Sequence, residues 1–101
     1  MNIAKMLKEA QRMQERMAEA QSELAARTIH AASGGGKVQV AATGAGDIVS
    51  IKIDPQVVDP ADVEFLEGLV LAAVKQALDD AKKLAGDEIG KLTGGLKIPG
   101  L

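Results

Sequence analysis

Four cations recur at a regular interval near the start of the chain. Lys5, Lys8, Arg12 and Arg16 follow one another at spacings of three, four and four, so on an α-helix they share one face. Charges repeated along a line match the way phosphates repeat along a nucleic-acid strand, and the chemistry they offer is electrostatic capture of a polyanion. Glu9, Glu15, Glu19 and Glu23 balance them, mostly later in the same stretch. Basic groups in the opening turns oppose the helix dipole, at about 0.3–1 kcal/mol for each exposed cation. Stability alone would favour the reverse order. The plainer reading of these residues is a solvated face on which Lys8, Glu9, Arg12 and Arg16 pair with their own helix neighbours.

The remaining residues with chemical potential are few. There is no cysteine, which excludes disulfides, thiol catalysis and cysteine-based zinc sites. His30 is the single histidine; with no cysteine and no carboxylate close to it in sequence, it reads as a strand-surface residue rather than a base or ligand. Gly34-Gly35-Gly36-Lys37 invites a phosphate-loop reading, but no Ser or Thr follows the lysine, and a strand follows where a helix N-terminus would be needed. The glycines read as a joint. Tyr and Trp are absent, and no two carboxylates share an apolar, pocket-forming context. The chain is therefore expected to be no enzyme, with no metal, no cofactor and no catalytic residues.

The elements that must carry the cations follow from periodicity. From Asn2 to about Ala26 no Gly or Pro interrupts a helical pattern, and Ile3, Met6, Ala10, Met13, Met17, Ala20 and Leu24 form a seam at alternating spacings of three and four. Such a helix is roughly 37 Å long at 1.5 Å per residue. The strands after it span only about 20–25 Å, so part of the helix must project past the sheet or pair with another helix. Arg27 to Ser33 loses helical spacing and reads as a first strand. A hairpin follows: Val38, Val40 and Ala42 alternate with polar or small neighbours, and Val49, Ile51 and Ile53 alternate with Ile48, Ser50 and Lys52. Gly44-Ala45-Gly46-Asp47 turns the chain between them. The three strands occupy 27–55 and end at Asp54-Pro55, where proline removes a ladder donor.

Asp59-Pro60-Ala61-Asp62 has the composition of a helix start, with Asp59 as N-cap and Pro60 in the first turn. The second helix is expected over 59–85, with an apolar stripe through Val63, Leu66, Val70, Val74, Ala77, Ala81 and Leu84. Gly86 should interrupt it. Asp87 to Leu92 would resume a turn, and the remainder of 86–101, ending in Leu96-Lys97-Ile98-Pro99-Gly100-Leu101, reads as a tail that is mobile or docked on a partner. No repeat and no second domain is visible, so 1–101 is one α+β domain.

The net charge of −2 and pI near 5.3 argue against nucleic acid only as averages. Residues 1–27 hold five basic and four acidic groups, 28–58 two of each, and 59–101 five basic and eight acidic. Positive charge is concentrated at the front. No signal peptide and no run of roughly 18 apolar residues appears, so a cytoplasmic location and no membrane partner are expected. A membrane-surface role for the first helix would want aromatic anchors, and Phe65 is the only aromatic residue.

Four stretches together resemble the YbaB/EbfC family of bacterial nucleoid-associated DNA-binding proteins: KMLKEAQRMQERMAEAQ at 5–21, GGGKVQV with IVSIKIDP, LEGLVLAAVKQALDDA at 66–81, and the terminal PGL. The resemblance spans almost the whole chain in order. It implies an α-β-β-β-α protomer, an antiparallel sheet flanked by two helices, that dimerises through the sheet and leaves the helices as two arms on double-stranded DNA. The family's basic positions on the first helix fall here on Lys5, Lys8, Arg12 and Arg16. It also implies nucleoid organisation, with roles in DNA repair or gene regulation and with recombination or replication proteins as neighbours. One departure is the acidic second helix, with Asp79, Asp80, Asp87 and Glu88, which weakens that arm's contribution to DNA binding. Open strand edges point the same way as the resemblance: a homodimer is expected, with Val38, Val40, Val49, Ile51 and Ile53 at its interface, such that aspartate at Val49 or Ile51 would abolish the folded protein. The alternative function is a homodimeric protein–protein adaptor without direct DNA contact, favoured by the acidic balance and the methionine-rich seam.

Overall fold

Asn2 opens the first helix by accepting a hydrogen bond from the Lys5 amide on its side-chain oxygen at 3.2 Å, which satisfies one of the donors left over at a helix start. The computed structural model of the protein describes residues 2–94. The elements run α1 (Ile3–Ala26), β1 (Thr28–Ser33), β2 (Val38–Thr43), β3 (Ile48–Ile53), a 3₁₀ turn (Pro55–Val57) and α2 (Val63–Leu92). The strands form one antiparallel sheet in the order β1-β2-β3. The chain thus adopts the α-β-β-β-α arrangement and α+β class that its sequence leads one to expect. No helix among the described residues is long and apolar enough to cross a membrane.

The sheet is built by its turns. Gly34, Gly35 and Gly36 all take left-handed φ values, 60°, 65° and 89°, a run of conformations that residues with a Cβ avoid. The glycine joint is therefore a shaped turn between antiparallel strands rather than a slack link. At the other turn, Thr43 adds its side chain to the backbone bonds that close it: its hydroxyl accepts from the amides of Ala45 and Asp47, both at 3.2 Å.

Register decides which side chains meet α2. Val38 lies opposite Ile53 and Val40 opposite Ile51, and a bulge between Ala41 and Ala42 then brings Ile48 opposite Ala42. Val49 is the extra residue of that bulge. Without it, Ile48 and Ile51, an odd number of residues apart, would fall on opposite faces. Simple alternation groups Val49 with Ile51 and Ile53; the bulge replaces that set with Ile48, Ile51 and Ile53, on the face of Val38, Val40 and Ala42.

The helix α2 lies over β1 and β2 on this face, through Ala73, Ala77 and Ala81, all fully buried. Alanine at every fourth position lets the helix axis approach the strands closely, and Leu66, Leu69, Val70 and Val74 close over the sides. The Ser33 hydroxyl donates to the Leu69 carbonyl at 2.6 Å and ties the end of β1 to the helix. The core therefore consists of Val38, Val40, Ala42, Ala73 and Ala77, a small set in keeping with so short a chain.

Two expectations about α2 are corrected. Asp59 does not cap it: its carboxylate accepts from the Ala61 amide at 2.9 Å and heads a preceding turn. Asp62 is the N-cap and accepts from the Phe65 amide at 3.2 Å. The composition Asp-Pro-Ala-Asp contains two capping residues three apart, and local rules cannot choose between them. The helix also does not stop at Ala85, but continues unbroken through Gly86 and Gly90 to Leu92. Glycine in a helix costs about 1 kcal/mol against alanine; here Leu84, Ala85, Ile89 and Leu92 are half-buried, and Glu88 reaches Arg27 at 3.4 Å. Tertiary contact outweighs propensity. The tail beyond Gly94 lies outside the described residues.

Candidate nucleic-acid interface

The seam of α1 sets how the cations are presented. Leu24 is buried where the helix joins the sheet, Met17 and Ala20 are half-buried, and every described residue before Met17 is exposed. The first half of α1 is consequently an arm, in a chain whose dimensions are 70 × 23 × 16 Å. Lys5, Lys8, Arg12 and Arg16 all stand exposed on it. Their stripe lies about 120° around the helix from the apolar seam, at 3.6 residues per turn.

None of the four takes part in the ion pairs of the described residues, which are Arg27–Glu88, Lys37–Asp54 and Lys91–Glu88. The intrahelical pairing that would make the stripe a self-neutralised face is not formed. The same line of side chains continues, at spacings of three and four, into Glu19 and Glu23, so it changes sign toward the sheet. Arg16 sits at the change: it borders a cleft between α1 and α2 shared with Glu19, Glu23, Glu88 and Lys91. Lys5, Lys8 and Arg12 stand clear of those carboxylates.

The other sequence candidates separate from this stripe. His30 is exposed on β1 opposite Ala41. Lys37 donates to the Gln56 side-chain oxygen at 2.6 Å and reaches the Asp54 carboxylate at 3.4 Å, which ties the open end of the hairpin to the turn after it. Asp54 also accepts from the Gln56 amide at 2.9 Å. That bond, assisted by the Lys37 ammonium, holds the Asp54 carboxyl below its ordinary value of 3.8. Among the described residues no three His, Asp or Glu side chains cluster as a metal site would require.

Of the five residues expected at a dimer interface, Val38 and Val40 are 0% and 1% exposed beneath α2 and belong to the protomer's own core. Val49, Ile51 and Ile53 are exposed. Because α2 covers β1 and β2, the inner face of β3 is left bare: Ile48, Ile51 and Ile53 are exposed by 40%, 44% and 40% on a strand that is also a free sheet edge. Sequence alone missed Ile48, since its signal is a bulge that no residue pattern announces.

Three comparisons bear on this geometry. The model of the YbaB/EbfC DNA-binding family matches residues 1–96. A nucleoid-associated protein of Pelotomaculum thermopropionicum is 50% identical over 100 residues, covering 99% of this chain and 95% of that protein. Another, from Thermoanaerobacter pseudethanolicus, is 53% identical over 100 residues, covering 99% and 90%. Among solved structures, an uncharacterized Helicobacter pylori protein superposes with a TM-score of 0.83 over 92% of this chain and 98% of its own, at 17% identity, a likeness of fold alone.

Proposed function

We propose, since the chain belongs to the YbaB/EbfC DNA-binding family, that it is a nucleoid-associated protein that grips double-stranded DNA through Lys5, Lys8, Arg12 and Arg16. It acts as a homodimer joined along β3, organises the nucleoid from the cytoplasm, and supports DNA repair or gene regulation beside recombination or replication proteins, without turnover of its own. The observation that carries the reading is the unpaired basic stripe on an exposed helical arm. The stripe has few base-reading side chains, Gln11 and Gln14 being the nearest, so little sequence preference follows.

Two stripes related by a two-fold axis offer about eight phosphate contacts, which corresponds to a slope of log affinity against log salt near −7. Affinity should then fall roughly 10⁴-fold between 50 and 200 mM salt. Fluorescence anisotropy with duplexes of unrelated sequence measures this directly. The double substitution Arg12→Glu, Arg16→Glu should weaken binding to all of them alike and flatten the slope. If it binds as the parent does, the stripe is a solvated face and the DNA contact lies elsewhere on the chain; if the parent itself binds no duplex at low salt, the adaptor function replaces DNA binding.

A further inference from the structure

Apolar side chains wrap further around α2 than one sheet requires. At about 100° per residue they run from Leu69 through Ala73 and Ala77 to Val74, Leu78 and Leu71, an arc of about 200°, where about 100° suffices for a helix lying on one surface. The middle of the arc, Ala73 and Ala77, is buried against β1 and β2. Leu69 leans to the β1 side: its carbonyl accepts the Ser33 hydroxyl at 2.6 Å, and its δ carbons would lie 3.1 and 3.3 Å from a Cβ on Gly34. Val74, Leu78 and Leu71 therefore turn to the opposite side, over β3. There Leu78 and Leu71 are 38% and 59% exposed, beside the bare Ile48, Ile51 and Ile53. The two surfaces form an apolar step, with β3 as its floor and this side of α2 as its wall.

Pairing the free β3 edges of two copies into one ladder would leave this step open. With strands about 4.8 Å apart and α2 above β1 and β2, the two α2 axes would stand about 19 Å apart across such a ladder. Packed helices stand about 8–10 Å apart. The isoleucines of both β3 strands would line an uncovered channel between them. We propose that two copies meet face to face, with the Leu71–Leu78 ridge of each seated on the Ile48, Ile51 and Ile53 floor of the other. This rests on the chain being a homodimer and concerns how its two halves meet.

The occupant is a second copy because the step is complementary to itself. A ridge beside a floor, related by a two-fold axis, places each ridge on the partner's floor, and one operation covers both. The dimensions agree. Leu71 and Leu78 are about 10 Å apart along α2, and Ile48 to Ile53 span about 16 Å of β3, so the ridge fits within the floor. Every side chain of the step is aliphatic, which is the composition of the core of a homodimer interface rather than of its rim. The cations of the α1 arm take no part, so the contact with a duplex is a separate surface.

Leu71→Asp is the test. Ala72→Asp, on the same turn but around the other side of α2, adds the same charge and is the control; both positions are exposed. Sedimentation equilibrium should show the dissociation constant of Leu71→Asp raised at least about thirtyfold, as for a central interface side chain, with Ala72→Asp pairing as the parent does. If Leu71→Asp also pairs as the parent while Ile51→Asp is monomeric, face docking is overturned and a dimer through β3 stands. A monomeric parent overturns the dimer and the docking together. A trapping measurement does not depend on how Leu71→Asp folds. The chain has no cysteine, so chains carrying only Leu71→Cys and chains carrying only Ile51→Cys, made distinguishable by mass, are refolded together from urea and mildly oxidised. Face docking makes the mixed species the main cross-link. Cross-links confined to Ile51→Cys chains, with Leu71→Cys left reduced, mark an edge ladder and overturn the proposal, as does a parent dimer that yields no cross-link at all.

Discussion

The corner where α1 enters the sheet gives the sharpest structural test. A Cβ placed on Gly44 would stand 2.6 Å from the Leu24 carbonyl oxygen, and 3.2 and 3.3 Å from the Leu24 carbonyl carbon and Cα. All three are backbone atoms, so no side chain can rotate away. A carbon–oxygen contact wants about 3.3 Å, and Gly44→Ala must therefore push the end of α1 off the hairpin turn by about 0.7 Å. Two hydrogen bonds meet at that corner: Gly44 donates to the Arg27 carbonyl at 3.0 Å and so ties the turn to α1, and Arg27 closes the end of α1 by donating at 3.1 Å to the same Leu24 carbonyl that the Cβ would strike. Weakening both costs about 1–2 kcal/mol, and the overpacking itself about 1–3 kcal/mol. Loss of glycine's freedom in the unfolded chain returns about 0.4–1 kcal/mol. The net expectation is a destabilisation of about 3 kcal/mol.

At roughly 4–8 °C per kcal/mol for a domain of this size, Tm should drop by about 12–24 °C. Urea and thermal unfolding followed by far-UV circular dichroism measure it, at one fixed protein concentration because association would raise apparent stability. Gly46→Ala is the comparison. Gly46 holds φ at 90° but has no atom within 4 Å of a built Cβ, so its cost is the left-handed backbone alone, about 1–2 kcal/mol. If Gly44→Ala melts at or above Gly46→Ala, the close approach does not govern this corner.

Three further outcomes are expected. Sedimentation at micromolar concentration should give about twice the 10.5 kDa chain mass, and Ile51→Asp should return a folded monomer, not the unfolded chain that alternation alone leads one to expect, because Ile51 is 44% exposed and Val38 and Val40 hold the core without it; a monomeric parent, or a variant that stays paired, removes β3 as the interface. Asp54 should titrate by NMR below 3.8. Since its pKa is depressed on folding, the stability it contributes is present above 3.8 and is lost as pH falls through the lower folded value. In Lys37→Met its midpoint should rise yet stay below 3.8, because the Gln56 amide is the larger cause; a return to 3.8 would assign the shift to the lysine instead. Thermal unfolding should be indifferent to EDTA and to ATP, since a ligand of the native state must raise its stability, and a shift of several degrees with either would mean a resident metal or nucleotide.

What the sequence made legible, and what it hid, follows the range of the interaction responsible. Seam spacing locates α1 to within a residue at each end, because periodicity and the Asn2 cap are local. The three strands are legible from alternation and from glycine. The start of α2 is not, because Asp59 and Asp62 both satisfy the capping rule and only packing selects one. Its end is hidden for a similar reason: Gly86 is a local stop signal overruled by Glu88, Lys91 and Leu92 meeting the end of α1. Which residues of β3 share a face with Val38 and Val40 depends on one inserted residue, Val49. The choice between Val38 and Ile51 as surface or core depends on which strands α2 covers, and side chains two strands apart carry no mark of that in the chain.

The order of charge along α1 is where local legibility and function meet. The cationic part of the stripe, Lys5 to Arg16, covers about 17 Å of helix, close to the length of five phosphates along one strand at 3.4 Å each. Glu19 and Glu23 continue the same line toward the sheet, where Glu88 already stands between Arg27 and Lys91. A polyanion lying along the arm is thus attracted at the tip and repelled at the root. It meets its strongest field where the protein is thinnest and where no acidic residue of α2 stands near. Reversing the order would suit the helix dipole better but would put the cations beside Glu88, where they would be neutralised within the protomer. The dipole penalty at the N-terminus is the cost of keeping four positive charges unpaired, and the proposed contact with DNA phosphates is what would offset it.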